Sequence, residues 1–163
     1  MAMSETEFAQ RFAGIYEHSA WVAEEAAAIA ATAKDVSRIA EVMADCVDNA
    51  STESQLALIR AHPDLAGKAQ VAGELTEDST TEQASAGLDQ CSAEEYERFQ
   101  ILNSGYQEKF GFPFVMAVRG SSRAEILDAF ENRLSNDPGA EFETALAEIH
   151  KIARLRLEAM GID

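Results

Sequence analysis

The sequence predicts an all-α fold of about seven to nine helices, with one short buried extended segment at residues 112–118. Three observations support this prediction. Apolar residues recur at intervals of three and four along nearly the whole chain, which is the spacing of one helix face. Serine, threonine or aspartate stands before most of these stretches, where helix caps are found. Strand-like alternation of apolar and polar residues never extends beyond a few positions.

Four helices are predicted in the first third of the chain. Ser4-Glu-Thr-Glu7 has the pattern of a capping box and opens the first helix. The second, at 21–33, is rich in alanine, and Asp35 caps the third. The fourth, at 52–61, must stop near His62 because the residue before a proline is forced out of the helical region. The apolar faces of the first two helices carry Phe8, Phe12, Ile15 and Tyr16, and Val22, Ala26, Ile29 and Ala33.

The middle of the chain alternates polar connections with capped helices. We predict a short helix at 64–72 and a polar connection at 73–78. Ser79-Thr-Thr-Glu82 then has the pattern of a second capping box, and Gly87 ends its helix. A third box at Ser92 opens a long helix that runs to Gly111.

The run FPFVMAV at 112–118 interrupts the helical pattern. It is continuously apolar, contains a proline and is flanked by glycines, so we predict a buried extended segment. Ser122-Arg-Ala-Glu125 caps another helix through Leu134. A turn follows at 136–139, and the terminal helix is predicted at 141–160.

Length and composition restrict the function classes. The 163 residues are expected to form a single domain, residues 1–163. A net charge of −16 argues against nucleic acid and anionic membranes as partners. The chain has neither a signal-peptide pattern nor an apolar run near the ~18–20 residues of a membrane-spanning helix. The two cysteines fit no metal spacing, so we expect two buried thiols in a reducing cytoplasm rather than a disulfide.

His62 is the strongest catalytic candidate among the three histidines. A histidine in a last helical turn also interacts well with exposed carbonyls, so its position has a structural explanation too. Pro63 restricts the backbone beside it, and the chain enters irregular structure there. His18 lies near a helix end and His150 is predicted on a solvated face. Three scattered histidines make a metal site unexpected.

The helix start at 79–83 is a second candidate. Glu82 has a structural explanation as the third residue of the capping box. The same geometry presents free amide groups and a positive dipole end that bind anions. Hydroxyls at Ser79, Thr80 and Thr81 and the amide of Gln83 surround it.

The segment at 112–118 is a third candidate because no helix satisfies its backbone groups. Most of its side chains are expected in the core. Its buried N–H and C=O groups need partners, and a planar ligand rich in such groups would supply them. Arg119 follows directly and is more often a surface residue than a ligand clamp.

Three longer motifs resemble the OHCU decarboxylase family, which acts on 2-oxo-4-hydroxy-4-carboxy-5-ureidoimidazoline in urate degradation. They are HPDLAGK at 62–68, STTEQASAGL at 79–88 and YQEKFGFPFVMAVR at 106–119. NRLSN at 132–136 and EIHKIARLRL at 148–157 match as well. The resemblance extends over nearly the whole chain, and the combined motifs are far more specific than any one of them.

The resemblance implies an all-α homodimer that decarboxylates its substrate to (S)-allantoin without a metal or organic cofactor. It implies that His62 is the catalytic acid/base and that Glu82 is its acidic partner. The substrate-binding residues that it implies are Pro63, Ser79, Thr80, Thr81, Glu82, Gln83, Phe114, Val115, Met116, Ala117 and Val118, with Arg119 as a further candidate.

The implied chemistry suits these residues, since the substrate carries its own electron sink in a ring imine and needs only orientation and proton transfer. Glu82 and Gln83 are expected to hold the ureido arm. Two alternatives stay open: a non-catalytic helical binding module, and a decarboxylase for a related ureido or imidazoline acid.

Overall fold

The computed structural model describes residues 4–31, 33, 35–66 and 75–160. This part of the chain contains eight α-helices, one short 3-10 helix at Leu88–Gln90 and no strand. The predicted all-α class is therefore confirmed. The helices are α1 Glu5–Phe12, α2 Trp21–Ala30, α3 Val36–Asp48, α4 Thr52–Arg60, α5 Glu77–Ser85, α6 Ala93–Phe110, α7 Arg123–Leu134 and α8 Pro138–Ala159.

Most predicted caps are confirmed. The side chains of Ser4 and Asp35 accept the backbone N–H groups of Glu7 and Arg38. Complete capping boxes are present at Ser92 and Ser122, where a glutamate three residues later bonds back to the cap. These reciprocal bonds satisfy amide groups that a helix start leaves unpaired.

The predicted start of α5 at Ser79 is wrong. The helix begins at Glu77, and the Thr76 hydroxyl caps it by accepting the Ser79 N–H at 3.2 Å. The earlier start places Glu77 and Asp78 in the first turn, where carboxylates interact favourably with the positive end of the helix. Residues 77–78 are therefore helical rather than part of a connection, while the predicted helix at 64–72 lies largely outside the described residues.

Two other helix predictions need correction. The terminal helix starts at Pro138 instead of Glu141, because proline is well suited to a first helical turn and the Asp137 carboxylate accepts the Ala140 N–H. In α2, Ile29 is 60% exposed and does not belong to the buried face.

The chain forms two compact units. One combines Met1–Ala61 with Ile149–Asp163, and the other is His62–Glu148. Aromatic rings dominate the core of the second unit, where Tyr106 lies edge-on to Phe114 and Phe130 and these two stack at 3.9 Å. That residues 1–163 form one domain stays a prediction.

Candidate active site

The loop at 62–66, which follows α4, carries His62 in a buried position. His62 is only 8% exposed, and Leu65 and Ala66 are buried as well. Ala66 has a φ of 51°, in the left-handed region that residues with a Cβ atom rarely adopt. A buried alanine keeps this conformation only where surrounding contacts hold it there.

Gln83 of α5 holds this loop through its side-chain amide. Its Oε1 accepts the Ala66 N–H at 3.0 Å, and its Nε2 donates to the Asp64 carbonyl at 3.2 Å. The Asp64 carboxylate accepts from Gln107 of α6 at 3.1 Å. The glutamine predicted for substrate binding therefore bonds the backbone two and four residues after His62, and most of its amide group is used in these bonds.

Two further amides reach the loop from α6. Gln100 donates to the Ala66 carbonyl at 2.8 Å, and Asn103 donates to the Leu65 carbonyl at 3.0 Å. With Gln107 they stand at positions i, i+3 and i+7, which share one face of a helix. We call Gln83, Gln100 and Asn103 the amide clamp, because together they bond the backbone of three consecutive loop residues.

The side chains of α5 divide between interior and solvent. Ser79 and Gln83, one turn apart, are buried, while Thr80 and Thr81 are exposed. Glu82 is half-buried beside Gln83, and Pro63 of the loop is half-buried too. Since two carboxylates occupy the first turn of α5, that turn is a poor place for an anion.

The extended segment at 112–118 is held by its neighbours at alternate residues. Arg133 of α7 donates from Nη1 to the Val115 carbonyl at 2.6 Å. The Glu148 carboxylate of α8 accepts the Ala117 N–H at 3.1 Å. Two backbone groups predicted to face a ligand are thus bonded within the protein.

Other groups of the segment remain available for a ligand. Within the described part of the chain, the N–H and C=O of Met116 have no hydrogen-bond partner. Met116 and Ala117 are half-buried, whereas Phe114, Val115 and Val118 are buried. Arg119, directly after them, is exposed.

A buried ion pair between Arg133 and Glu141 supports the segment at 112–118. Glu141 is fully buried and accepts from the Tyr106 hydroxyl at 2.6 Å, Arg133 Nε at 2.8 Å and Asn136 Nδ2 at 2.9 Å. The Arg133 guanidinium also lies 4.3 Å from the centre of the Phe114 ring. Burial and the bond to Glu141 raise the pKa of the Tyr106 hydroxyl, so it stays a donor.

Helix α6 is the shared support of both site segments. One of its faces carries Gln100 and Asn103, which bond the loop at 62–66. Elsewhere on α6, the ring of Tyr106 packs against Phe112 and Phe114 at 5.9 and 5.4 Å between ring centres. Helix α6 therefore contacts both the loop of His62 and the segment at 112–118, and the helix of Glu82 joins this arrangement through the bonds of Gln83 to the loop.

The family follows from comparison with known proteins. A family model described as OHCU decarboxylase matches residues 1–158. This chain belongs to the OHCU decarboxylase family. It is 46% identical over 155 residues to the 2-oxo-4-hydroxy-4-carboxy-5-ureidoimidazoline decarboxylase of Haloferax volcanii, a match that covers 95% of this chain and 89% of the relative.

Two solved structures share the fold of this OHCU decarboxylase family member. A crystal structure of (S)-allantoin synthase superposes with a TM-score of 0.77 at 35% identity and covers 98% of this chain, which spans 50% of that longer chain. A structure of OHCU decarboxylase in the presence of (S)-allantoin gives a TM-score of 0.66 at 27% identity over 83% of this chain and 89% of that one.

The other two histidines of this family member lie in different surroundings. His150 is half-buried rather than on a solvated face, with Nδ1 at 2.8 Å from the Tyr16 hydroxyl and Nε2 at 3.0 Å from Asp48 Oδ1. His18 is exposed at a φ of 47°. Cys46 and Cys91 are free thiols, and both are half-buried rather than buried as predicted.

The described residues contain no group of three or more histidine, cysteine, aspartate and glutamate side chains placed to hold a metal ion. No helix among them combines the length and the apolar character needed to cross a membrane.

Sequence reasoning missed Gln100, Asn103, Arg133 and Glu141. A signal existed for the first two, since amide side chains recur at helical spacing in the predicted long helix at 92–111. Arg133 stands in the NRLSN motif, but nothing in its spacing points to Val115 or Glu141.

Proposed function

We propose that this chain decarboxylates 2-oxo-4-hydroxy-4-carboxy-5-ureidoimidazoline to (S)-allantoin and CO2 without a metal or organic cofactor. The observation that carries the proposal is the extent of the family match, since residues 1–158 include His62, Glu82 and the segment at 114–118. A related structure determined in the presence of (S)-allantoin supports the same product.

The substrate supplies the electron sink for this reaction. When the bond between the ring carbon and its carboxylate breaks, CO2 leaves and the electron pair moves toward the adjacent ring imine. The imine nitrogen and the ring carbon that bears the ureido group each gain a proton, while the hydroxyl proton is lost as the ring carbonyl forms, so one proton is taken up overall. The protein needs to orient the ring, desolvate the carboxylate and move these protons.

His62 is the acid/base of the proposed mechanism. Histidine changes its protonation state near neutral pH, which suits a group that accepts the hydroxyl proton and returns one to the ring. Its position on a loop held by the amide clamp supports this role, because proton transfer requires hydrogen-bond reach and a fixed direction. Pro63 beside it contributes to the wall of the site.

The remaining groups bind the substrate. The Glu82 carboxylate accepts from the N–H groups of the ureido arm, and Gln83 keeps one amide N–H for the ureido carbonyl. Ser79, Thr80 and Thr81 complete this helical turn. The backbone at Met116 pairs with the ring, and Arg119 supplies positive charge that an anionic substrate needs against a net charge of −16.

We further propose that the chain acts as a single-domain homodimer in the cytoplasm. The two free thiols support a reducing compartment. Light scattering coupled to size exclusion measures the mass directly, and the expected value is twice the 17.7 kDa of one chain.

The activity is tested with freshly generated urate-oxidation intermediate and circular dichroism of allantoin. Protein treated with a chelator and gel-filtered should still form (S)-allantoin faster than the spontaneous reaction. Glu82→Gln should lose most of this rate, while Glu94→Gln, which removes an exposed carboxylate on α6, should keep it. Binding without turnover would support a binding module, and neither binding nor turnover would support a different ureido or imidazoline substrate.

A further inference from the structure

We infer that Gln100 and Asn103 are positioning residues for His62, and that they act by holding Ala66 in its left-handed conformation. The inference rests on the proposed function of His62 and extends it to side chains more than 35 positions away in the sequence. Neither residue needs to touch the substrate.

Ala66 has a strained backbone conformation. Its φ of 51° would be ordinary for glycine, but alanine pays a steric penalty there because of its Cβ atom. Ala66 is also fully buried, so its N–H and C=O groups need partners inside the protein. Without such partners the loop would relax to a conformation with negative φ.

Side chains supply the partners of the Ala66 peptide groups. The Ala66 N–H is bonded by Gln83 and its C=O by Gln100, so both peptide groups of the strained residue are fixed by side chains from two helices. Asn103 fixes the preceding Leu65 carbonyl. A change in φ at Ala66 would break at least one of these bonds.

The Asn103 side chain is only partly hydrogen-bonded. Its Oδ1 is buried and has no hydrogen-bond partner among the described residues, although buried acceptors are seldom left unpaired. A leucine of similar size would avoid this unfavourable acceptor. An asparagine that serves as a donor to Leu65 explains why the position carries an amide.

Ala66 lies close to His62 in the chain. Only three residues separate His62 from Ala66, and Pro63 stiffens the first of them. A change at Ala66 is therefore passed to the histidine instead of being absorbed by a flexible linker. Misplacement of a catalytic group by about 1 Å is enough to lower turnover by roughly 100-fold.

The test compares Gln100→Leu and Asn103→Leu with Gln107→Leu in the full-length protein. Gln107 is a matched control, since it lies on the same helix face but its exposed side chain, among the described residues, bonds only the Asp64 carboxylate. We expect the first two variants to lose roughly 10- to 100-fold in kcat with little change in KM. Gln107→Leu should stay within about threefold of wild type.

A second variant separates positioning from stability. Ala66→Gly adopts a positive φ without strain, so it should keep the wild-type kcat and restore much of the kcat lost in Gln100→Leu. Failure of this rescue, or equal losses in Gln100→Leu and Gln107→Leu, would overturn the inference. If Gln100 and Asn103 had a purely structural role, their variants would change in thermal stability without a matching change in kcat.

A readout without substrate distinguishes this inference from the proposed function. With only three histidines, the imidazole nitrogen signals of labelled protein can each be assigned by substitution. Gln100→Leu should shift the signals of His62 and accelerate hydrogen exchange at the Ala66 amide, while His18 and His150 stay unchanged. Unchanged His62 signals would refute the positioning role even if the wild type is active, and a shift would support it even if the substrate assignment fails.

Discussion

Replacing Arg133 by methionine tests the buried network beneath the extended segment. The change leaves the carboxylate of Glu141, which is fully buried, without its charged partner. Loss of one member of a buried ion pair costs about 3–5 kcal/mol, and the Tyr106 and Asn136 hydrogen bonds only partly compensate. For a chain of this size each kcal/mol lowers the melting temperature by about 2–4 °C, so Arg133→Met should melt about 6–20 °C lower.

This effect is measured by thermal and urea unfolding of the four proteins of a double-mutant cycle: the wild type, Arg133→Met, Glu141→Gln and the double variant. Arg133→Met/Glu141→Gln removes the unpaired charge and keeps an acceptor for Tyr106, so it should regain at least half of the lost stability. Its activity should stay low, because the bond from Arg133 to the Val115 carbonyl is still missing. A loss below about 1 kcal/mol in Arg133→Met, or strictly additive effects, would refute the reasoning.

Two further predictions concern the helix ends. Gly87 has a φ of 76°, and a Cβ atom there would lie 2.7 Å from Arg123 Nη1. Gly87→Ala should therefore cost at least about 1–2 kcal/mol in urea unfolding, whereas the control Gly105→Ala, with nothing within 4 Å, should be neutral or stabilising. Bonds to the Ser92 and Ser122 N–H groups lower the pKa of Glu95 and Glu125, so the stability they add is present above about pH 4.5 and is lost as the pH falls below it. Replacing both glutamates by glutamine should make the free energy of unfolding less dependent on pH between about 3 and 5. An unchanged pH dependence in this range would contradict this assignment.

The sequence predicted the helices well where the signal is local. A cap bonds a residue only three positions away, so the boxes at Ser92 and Ser122 can be read directly from residue types. Gly111 similarly marks the end of α6, because its left-handed conformation suits glycine. The start of α5 was missed because Thr76 and Ser79 are both good caps, and the acidic residues between them favour the earlier one.

The site was predicted less completely because its supporting contacts are distant in sequence. Gln83 and Gln100 bond Ala66 across 17 and 34 positions, and Arg133 bonds Val115 across 18. Periodicity shows which helix face is polar, but it does not identify the backbone group that this face meets. The left-handed conformation of Ala66 has no sequence signal, since alanine ordinarily favours the right-handed helix.

The most direct test of the account is the rate of (S)-allantoin formation by His62→Gln. Glutamine keeps hydrogen bonding but cannot exchange a proton near neutral pH, so the account predicts a loss of at least about 100-fold in kcat. The thermal unfolding curve should remain close to that of the wild type. Near-normal turnover by a folded His62→Gln protein would contradict the assignment of His62 as the acid/base of the decarboxylation.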